Sequence, residues 1–181
     1  MATSTNLSTK NTSKQTIILD TNIFSYIGDK DVGIHIISYL IDLLNRGFGF
    51  AYSNITIYEL LRGTTEKKET EMLNILNPYF RYYLSENVIL AAAQLDNIMK
   101  AEKIDANSID HGDKFIAATA ILTGSLIMTA NARDFPWPLF HEAESKPIVF
   151  QDKSKKTRCY MVSLIRPDYD LVNLRFTERP K

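Results

Sequence analysis

Four acidic residues of this chain stand where charge is out of place. Asp20 directly follows the apolar run Thr16-Ile17-Ile18-Leu19 and precedes Thr21-Asn22-Ile23-Phe24. Glu59 interrupts an apolar stretch between Ile55 and Leu61, and Asp113 stands just ahead of Phe115-Ile116-Ala117-Ala118. Asp134 follows an apolar segment ending at Thr129, within Asn131-Ala132-Arg133-Asp134-Phe135. Carboxylates are nearly always exposed unless paired or bound to a metal. Gathered in one place they repel, and each becomes harder to ionise. A hard divalent cation such as Mg²⁺ removes that penalty. It prefers oxygen ligands and keeps several waters, so a few carboxylates suffice. Such an ion can acidify a water, orient it toward phosphorus and neutralise charge on a phosphoryl group.

Each acid also has a plainer reading. Asp20 can cap the helix that follows it, and Glu59 can pair with Arg62 on a solvated helix face. Asp113 can complement a helix dipole from the first turn, with Asp110 as a rival whose spacing suits the cap itself. Asp134 can share a turn with Asn131. Thr21, Asn22, Thr129 and Asn131 either orient the carboxylates or serve as caps and turn formers. Arg62 and Arg133, and more weakly Lys114, are candidates for phosphate contact or for surface ion pairs. Tyr79, Phe80, Tyr82 and Tyr83 can stack on bases, although a half-buried strand explains them better. The joint pattern carries the inference, not any one residue.

The elements must bring these residues together. Residues 16–19 read as a buried strand with Asp20 at its carboxyl tip, followed by a helix capped by Thr21 or Asn22. Ligands of open α/β sheets lie outside the carboxyl ends of the strands. Apolar spacing predicts helices over residues 34–45 (stopped by Gly47), from Ser53 as cap to Gly63, over 64–76 and over 85–103, with strands at 48–52 and 79–84. Residues 115–122 are apolar on nearly every side, so that helix is buried; Gly124 ends it and 125–129 form the next strand. Residues 147–150 and 158–165 predict an antiparallel hairpin around the charged turn Asp152-Lys153-Ser154-Lys155-Lys156. Alternating strands and helices imply an α/β fold with a mainly parallel sheet and right-handed crossovers.

Bulk properties set bounds. With 181 residues the chain suits one domain, residues 16–181 including a C-terminal extension at 141–181, behind a disordered N-terminal tail at 1–15. Formal net charge is zero, so no global field advertises nucleic-acid binding. Cys159 is the only cysteine, which excludes an intrachain disulfide and fits a reducing, cytoplasmic setting. His35, His111 and His141 lack zinc spacing. No run approaches the ~18 apolar residues of a membrane span, and the Ser/Thr/Asn/Lys-rich start lacks the apolar middle of a secretory signal.

Four motifs, Ile18-Leu19-Asp20-Thr21-Asn22, Ile57-Tyr58-Glu59-Leu60, Asp113 to Ala120, and Met128 to Phe135, together resemble the PIN domain, and in particular the VapC-type toxins of toxin–antitoxin pairs. The resemblance covers about residues 16 to 140. It implies a three-layer α/β/α sandwich and a Mg²⁺- or Mn²⁺-dependent endoribonuclease, with Asp20, Glu59, Asp113 and Asp134 as catalytic, metal-holding acids. Thr21, Asn22, Thr129 and Asn131 fall on the polar helper positions. It further implies an RNA substrate, cleavage leaving a 5′-phosphate and a 3′-hydroxyl, an antitoxin partner and a homodimer. The N-terminal tail and the stretch after Phe135 depart from compact family toxins. The alternative is a non-catalytic RNA-binding or assembly module on the same fold. An aspartyl-phosphate phosphatase fits less well, because Asn22 stands where a second acid is wanted, and no Walker-type loop is present.

Overall fold

Strand β1 (Thr16–Leu19) is apolar on both faces, and the sheet grows outward from it. In this computed structural model, which describes residues 14–177, β1 pairs in parallel with β2 (Gly49–Ser53) on one side and with β4 (Leu126–Thr129) on the other. Strand β3 (Phe80–Tyr82) adds to β2, also in parallel. The six strands run in the order β3-β2-β1-β4-β6-β5, where β5 (Phe140–Gln151) and β6 (Thr157–Pro167) form an antiparallel hairpin docked on β4 through β6. Among the described residues, no helix is long and apolar enough to cross a membrane.

Strand periodicity sorts side chains between two helical layers. Ile17, Leu19 and Met128 face one side, against α1 (Thr21–Ile27) and α2 (Gly33–Asn45). Leu76 of α4 (Glu66–Leu76) joins the same cluster. Ile18, Ile127 and Ile165 face the other side, against α5 (Glu86–Ala101) and α6 (His111–Thr123). The helix α3 (Asn54–Leu61) follows β2 directly. A strand buried on both faces needs helices over both, so this is the expected three-layer sandwich, with a mixed edge.

Several local expectations shift. Neither Thr21 nor Asn22 caps α1: Asp20 holds the cap position, and its carboxylate makes no capping bond. Ser53 occupies the cap position of α3, but its hydroxyl is buried without a hydrogen-bond partner among the described residues. Helix α6 starts four residues earlier than its apolar run, because Asp110 caps it by accepting from the Gly112 N–H at 2.9 Å. Gly124 closes it in the left-handed region, at φ 69°.

The C-terminal region is more ordered than its composition suggests. Both hairpin strands exceed their apolar stretches, and the charged tail continues into α7 (Tyr169–Thr177), whose Val172 is buried in the second core cluster. Arg46 holds Glu144 of β5 with both guanidinium nitrogens, at 3.0 and 2.6 Å, and Tyr39 donates to the same carboxylate at 2.9 Å. Arg175 of α7 reaches Glu102 at 2.6 Å. Of the expected N-terminal tail, residues 1–13 lie outside the described residues.

Candidate active site

The carboxyl end of β1 delivers Asp20 into the sheet's switch region, where the chain leaves for opposite layers after β1 and β4. Asp20 is 3% exposed. One of its oxygens accepts from Thr129 Oγ1 and from Asn22 Nδ2, each at 2.6 Å. Asn22 also donates to Thr129 at 3.1 Å and accepts from the Ala130 N–H at 3.1 Å, which ties the start of α1 to the end of β4. These two polar residues therefore fix a carboxylate and do not cap helices.

Glu59 projects from α3. Thr21 Oγ1 donates to its carboxylate and lies 3.3 Å from the buried Thr56 hydroxyl. The carboxylate lies against the first turn of α6, at Gly112, where a Cβ would fall 1.8 Å from Glu59 Oε1 and 2.7 Å from its Cδ. Only a residue without a side chain leaves that space. Asp113 follows on the same turn, close enough to Asp134 for each to shift the other's titration. Asn131 donates to Asp134 at 2.6 Å. A 3-10 turn, Ala132–Asp134, brings Asp134 back over the end of β4.

Electrostatics show that the four acids sense one another. Burial first, then the charges of Asp20, Asp134, Glu59 and Asp110, push the Asp113 carboxyl up to about 8. Burial also raises Asp20 to about 6, against the opposing hydrogen bonds from Thr129 and Thr21 and with added repulsion from Glu59 and Asp134. Glu59 and Asp134 are raised as well, chiefly by burial. None of the four joins a salt bridge among the described residues.

The donor set is all oxygen, crowded and short of positive charge, which fits a hard divalent cation. No three His, Cys, Asp or Glu side chains among the described residues close a metal cage by themselves.

Of the candidate phosphate contacts, Arg133 is exposed beside Asp134 and forms no salt bridge among the described residues. Arg62 lies 5.9 Å over the Tyr58 ring, and its charge reaches Glu59 without a close ion pair. Lys114 is withdrawn from any such role: it is buried and bound to Asp96 at 2.6 Å. Tyr79 packs edge-on against Phe24 and Phe50, as a half-buried aromatic should. Sequence reasoning missed Gly112 and Thr56. A glycine inside the first turn of a buried helix, between two acids, was the available signal.

Known proteins share this arrangement of elements. A family model described as PIN domain matches residues 17–136. Ribonuclease VapC1 of Methanocaldococcus jannaschii is 33% identical over 88 residues, which are 48% of this chain and 62% of that protein. The chain thus spans somewhat under two thirds of the curated relative's length. Among solved structures, VapBC2 from Rickettsia felis, bound to a DNA fragment from their promoter, matches with TM-score 0.56 and 21% identity over 68% of this chain and 94% of that one. VapBC-1 from nontypeable Haemophilus influenzae matches with TM-score 0.55 and 23% identity over 67% and 90%. A toxin–antitoxin complex from Klebsiella pneumoniae gives TM-score 0.51 and 22% identity over 67% and 92%. At such identities the structures speak for the fold, whereas the family model spans well over half of the sequence, and the chain belongs to the PIN domain family.

Proposed function

We infer that this protein is a metal-dependent endoribonuclease acting as the toxin of a toxin–antitoxin pair. The observation that carries the reading is the convergence of Asp20, Glu59, Asp113 and Asp134, from four separated stretches, on the carboxyl end of a parallel sheet, with Asp113 and Asp20 pushed up to about 8 and about 6. The likeness to a protein named ribonuclease VapC1 supports the activity, and the likeness to toxin–antitoxin and VapBC complexes supports an antitoxin partner.

Asp20 and Asp113 are the residues to hold Mg²⁺ or Mn²⁺, with Glu59 and Asp134 completing the surroundings. A bound ion supplies an acidified water and charge neutralisation at the scissile phosphate. The chain's own contribution is orientation. Thr129 and Asn22 lock one Asp20 oxygen and so fix how the carboxylate is presented. Thr21 and the bare backbone of Gly112 hold Glu59 forward. Asn131 holds Asp134 near Asp113, where both could help to hold the ion. Arg133, exposed at the mouth, is suited to a non-bridging phosphate oxygen. The expected products carry a 5′-phosphate and a 3′-hydroxyl.

Residues 16–181 are read as one domain, because β6 covers β4 and Val172 is buried in the core. A homodimer and a cytoplasmic setting complete the proposal. Incubating the purified protein with total RNA, with and without Mn²⁺, beside Asp20→Asn and Asp113→Asn, tests it. Metal-dependent cleavage lost in both variants supports the reading. Cleavage retained in both sinks it, and an inert wild type that still binds RNA favours the non-catalytic module.

A further inference from the structure

The β5–β6 hairpin lies outside the residues matched by the family model, and its register places it beside the acids. Thr129, at the carboxyl end of β4, pairs with Ser163. Because β6 runs antiparallel to β4, residues 157–162 continue past that end, the same end from which Asp20 projects. At ~3.3 Å per residue this overhang is about 20 Å long. A side-chain brace fixes it there. Tyr160 stacks on Tyr26 of α1, ring centroids 4.7 Å apart and 15° from parallel, and Phe150 packs against Tyr160 at 5.2 Å. The Lys153 N–H donates to Asp31 at 3.1 Å, which ties the tip to the loop before α2.

The tip concentrates positive charge. Lys153, Lys155 and Lys156 are exposed, and none joins a salt bridge among the described residues. Three carboxylates, Asp29, Asp31 and Asp152, lie beside these lysines and offset part of the charge while they brace the tip. Asp152 accepts from the Ser154 N–H and hydroxyl, from the Lys156 N–H and from Arg158 Nε. Asp29 accepts from the Asp31 and Val32 N–H groups. Lys155 sits at φ 60°, a position that glycine or asparagine fills at less cost.

We propose that this hairpin is an RNA-holding arm, in which Lys153, Lys155 and Lys156 bind phosphates of the substrate strand several nucleotides from the bond cut at the acid site. The proposal rests on the nuclease reading for the substrate's identity. Flexible ammonium groups on a rigid arm engage the backbone without reading sequence, so the arm contributes affinity and register to RNAs long enough to reach it.

The test measures binding of a long single-stranded RNA to full-length protein carrying Asp20→Asn, so that the substrate survives. The arm variant is Lys153→Ala, Lys155→Gly and Lys156→Ala together; the glycine relieves the positive φ, so weaker binding is not a folding defect. A control removes two exposed lysines of α4, Lys67→Ala and Lys68→Ala. The expected result is binding weaker by about tenfold or more in the arm variant, with the slope of log K against log salt smaller by about 2, and a loss that shrinks as the RNA is shortened. The control should change little. Equal affinity and salt slope in the arm variant and its parent overturn the arm while leaving the nuclease reading to its cleavage assay. Equal losses in arm and control also overturn it, as does undiminished RNA binding with lost capture of a cognate antitoxin.

Discussion

Replacing Asp20 by asparagine should stabilise the metal-free protein. Asp20 is 3% exposed, and its carboxyl is raised from 3.8 to about 6, mainly by burial. The native state therefore holds a proton that the unfolded chain releases near pH 4. Stability falls as pH rises wherever the native state binds more protons. The contribution of Asp20 is unpenalised below pH ~4, declines between ~4 and ~6, and is flat above. Two units at 1.36 kcal/mol each give a cost of about 3 kcal/mol at neutral pH. Asp113, raised to about 8, extends the decline toward pH 8. Asparagine is isosteric, and its Oδ1 still accepts from Thr129 and Asn22. For a chain of this size 1 kcal/mol moves Tm by about 2–4 °C, so a gain of roughly 6–12 °C is expected at pH 8 in EDTA. It should shrink toward pH 4, and Mg²⁺ should narrow it by stabilising the wild type alone. Thermal melts from pH 4 to 8, with EDTA or Mg²⁺, provide the measurement. A variant that melts below the wild type at pH 8 in EDTA, or a wild type whose melting temperature climbs steadily from pH 5 to 8, refutes the reasoning.

Further outcomes follow from the same geometry. Gly112→Ala should leave the fold intact, since the clashing atoms belong to the flexible end of Glu59, yet lower RNA cleavage by at least about tenfold as that carboxylate is displaced; steady-state cleavage beside a melting curve separates the two. Asp110→Ala should cost about 1 kcal/mol through loss of the α6 cap and reduce activity far less than Asp113→Ala, which a denaturant titration and a cleavage assay check together. Ending the chain at residue 139 removes the hairpin over β4 and the buried Val162, Leu164 and Val172. The truncated protein should lack a cooperative melting transition, as read by circular dichroism.

The sequence alone identified strand β1, the buried helix α6 and the four acids, because each depends on a local signal: an apolar period, a left-handed glycine, a charge next to apolar residues. Residue patterns alone left Asp110 and Asp113 as rivals, and the family resemblance chose Asp113. In the structure Asp110 spends its carboxylate on the Gly112 N–H, while burial and the charges of the other acids act on Asp113. Thr21 and Asn22 were ambiguous for the same reason. A hydroxyl or amide after a strand serves equally as cap or as carboxylate partner, and only contacts 35 or more residues away, to Glu59, Thr129 and Ala130, tell which. Helix α7 escaped notice because Tyr169–Thr177 has no strong apolar stripe, and Val172 becomes a core residue only once a second layer exists to bury it. Local sequence thus set which elements form and where isolated charge falls. The approach of Glu59 to Gly112, the mutual influence of Asp113 and Asp134, and the hairpin's overhang past β4 needed tertiary structure, since each joins segments whose proximity no nearest-neighbour preference encodes.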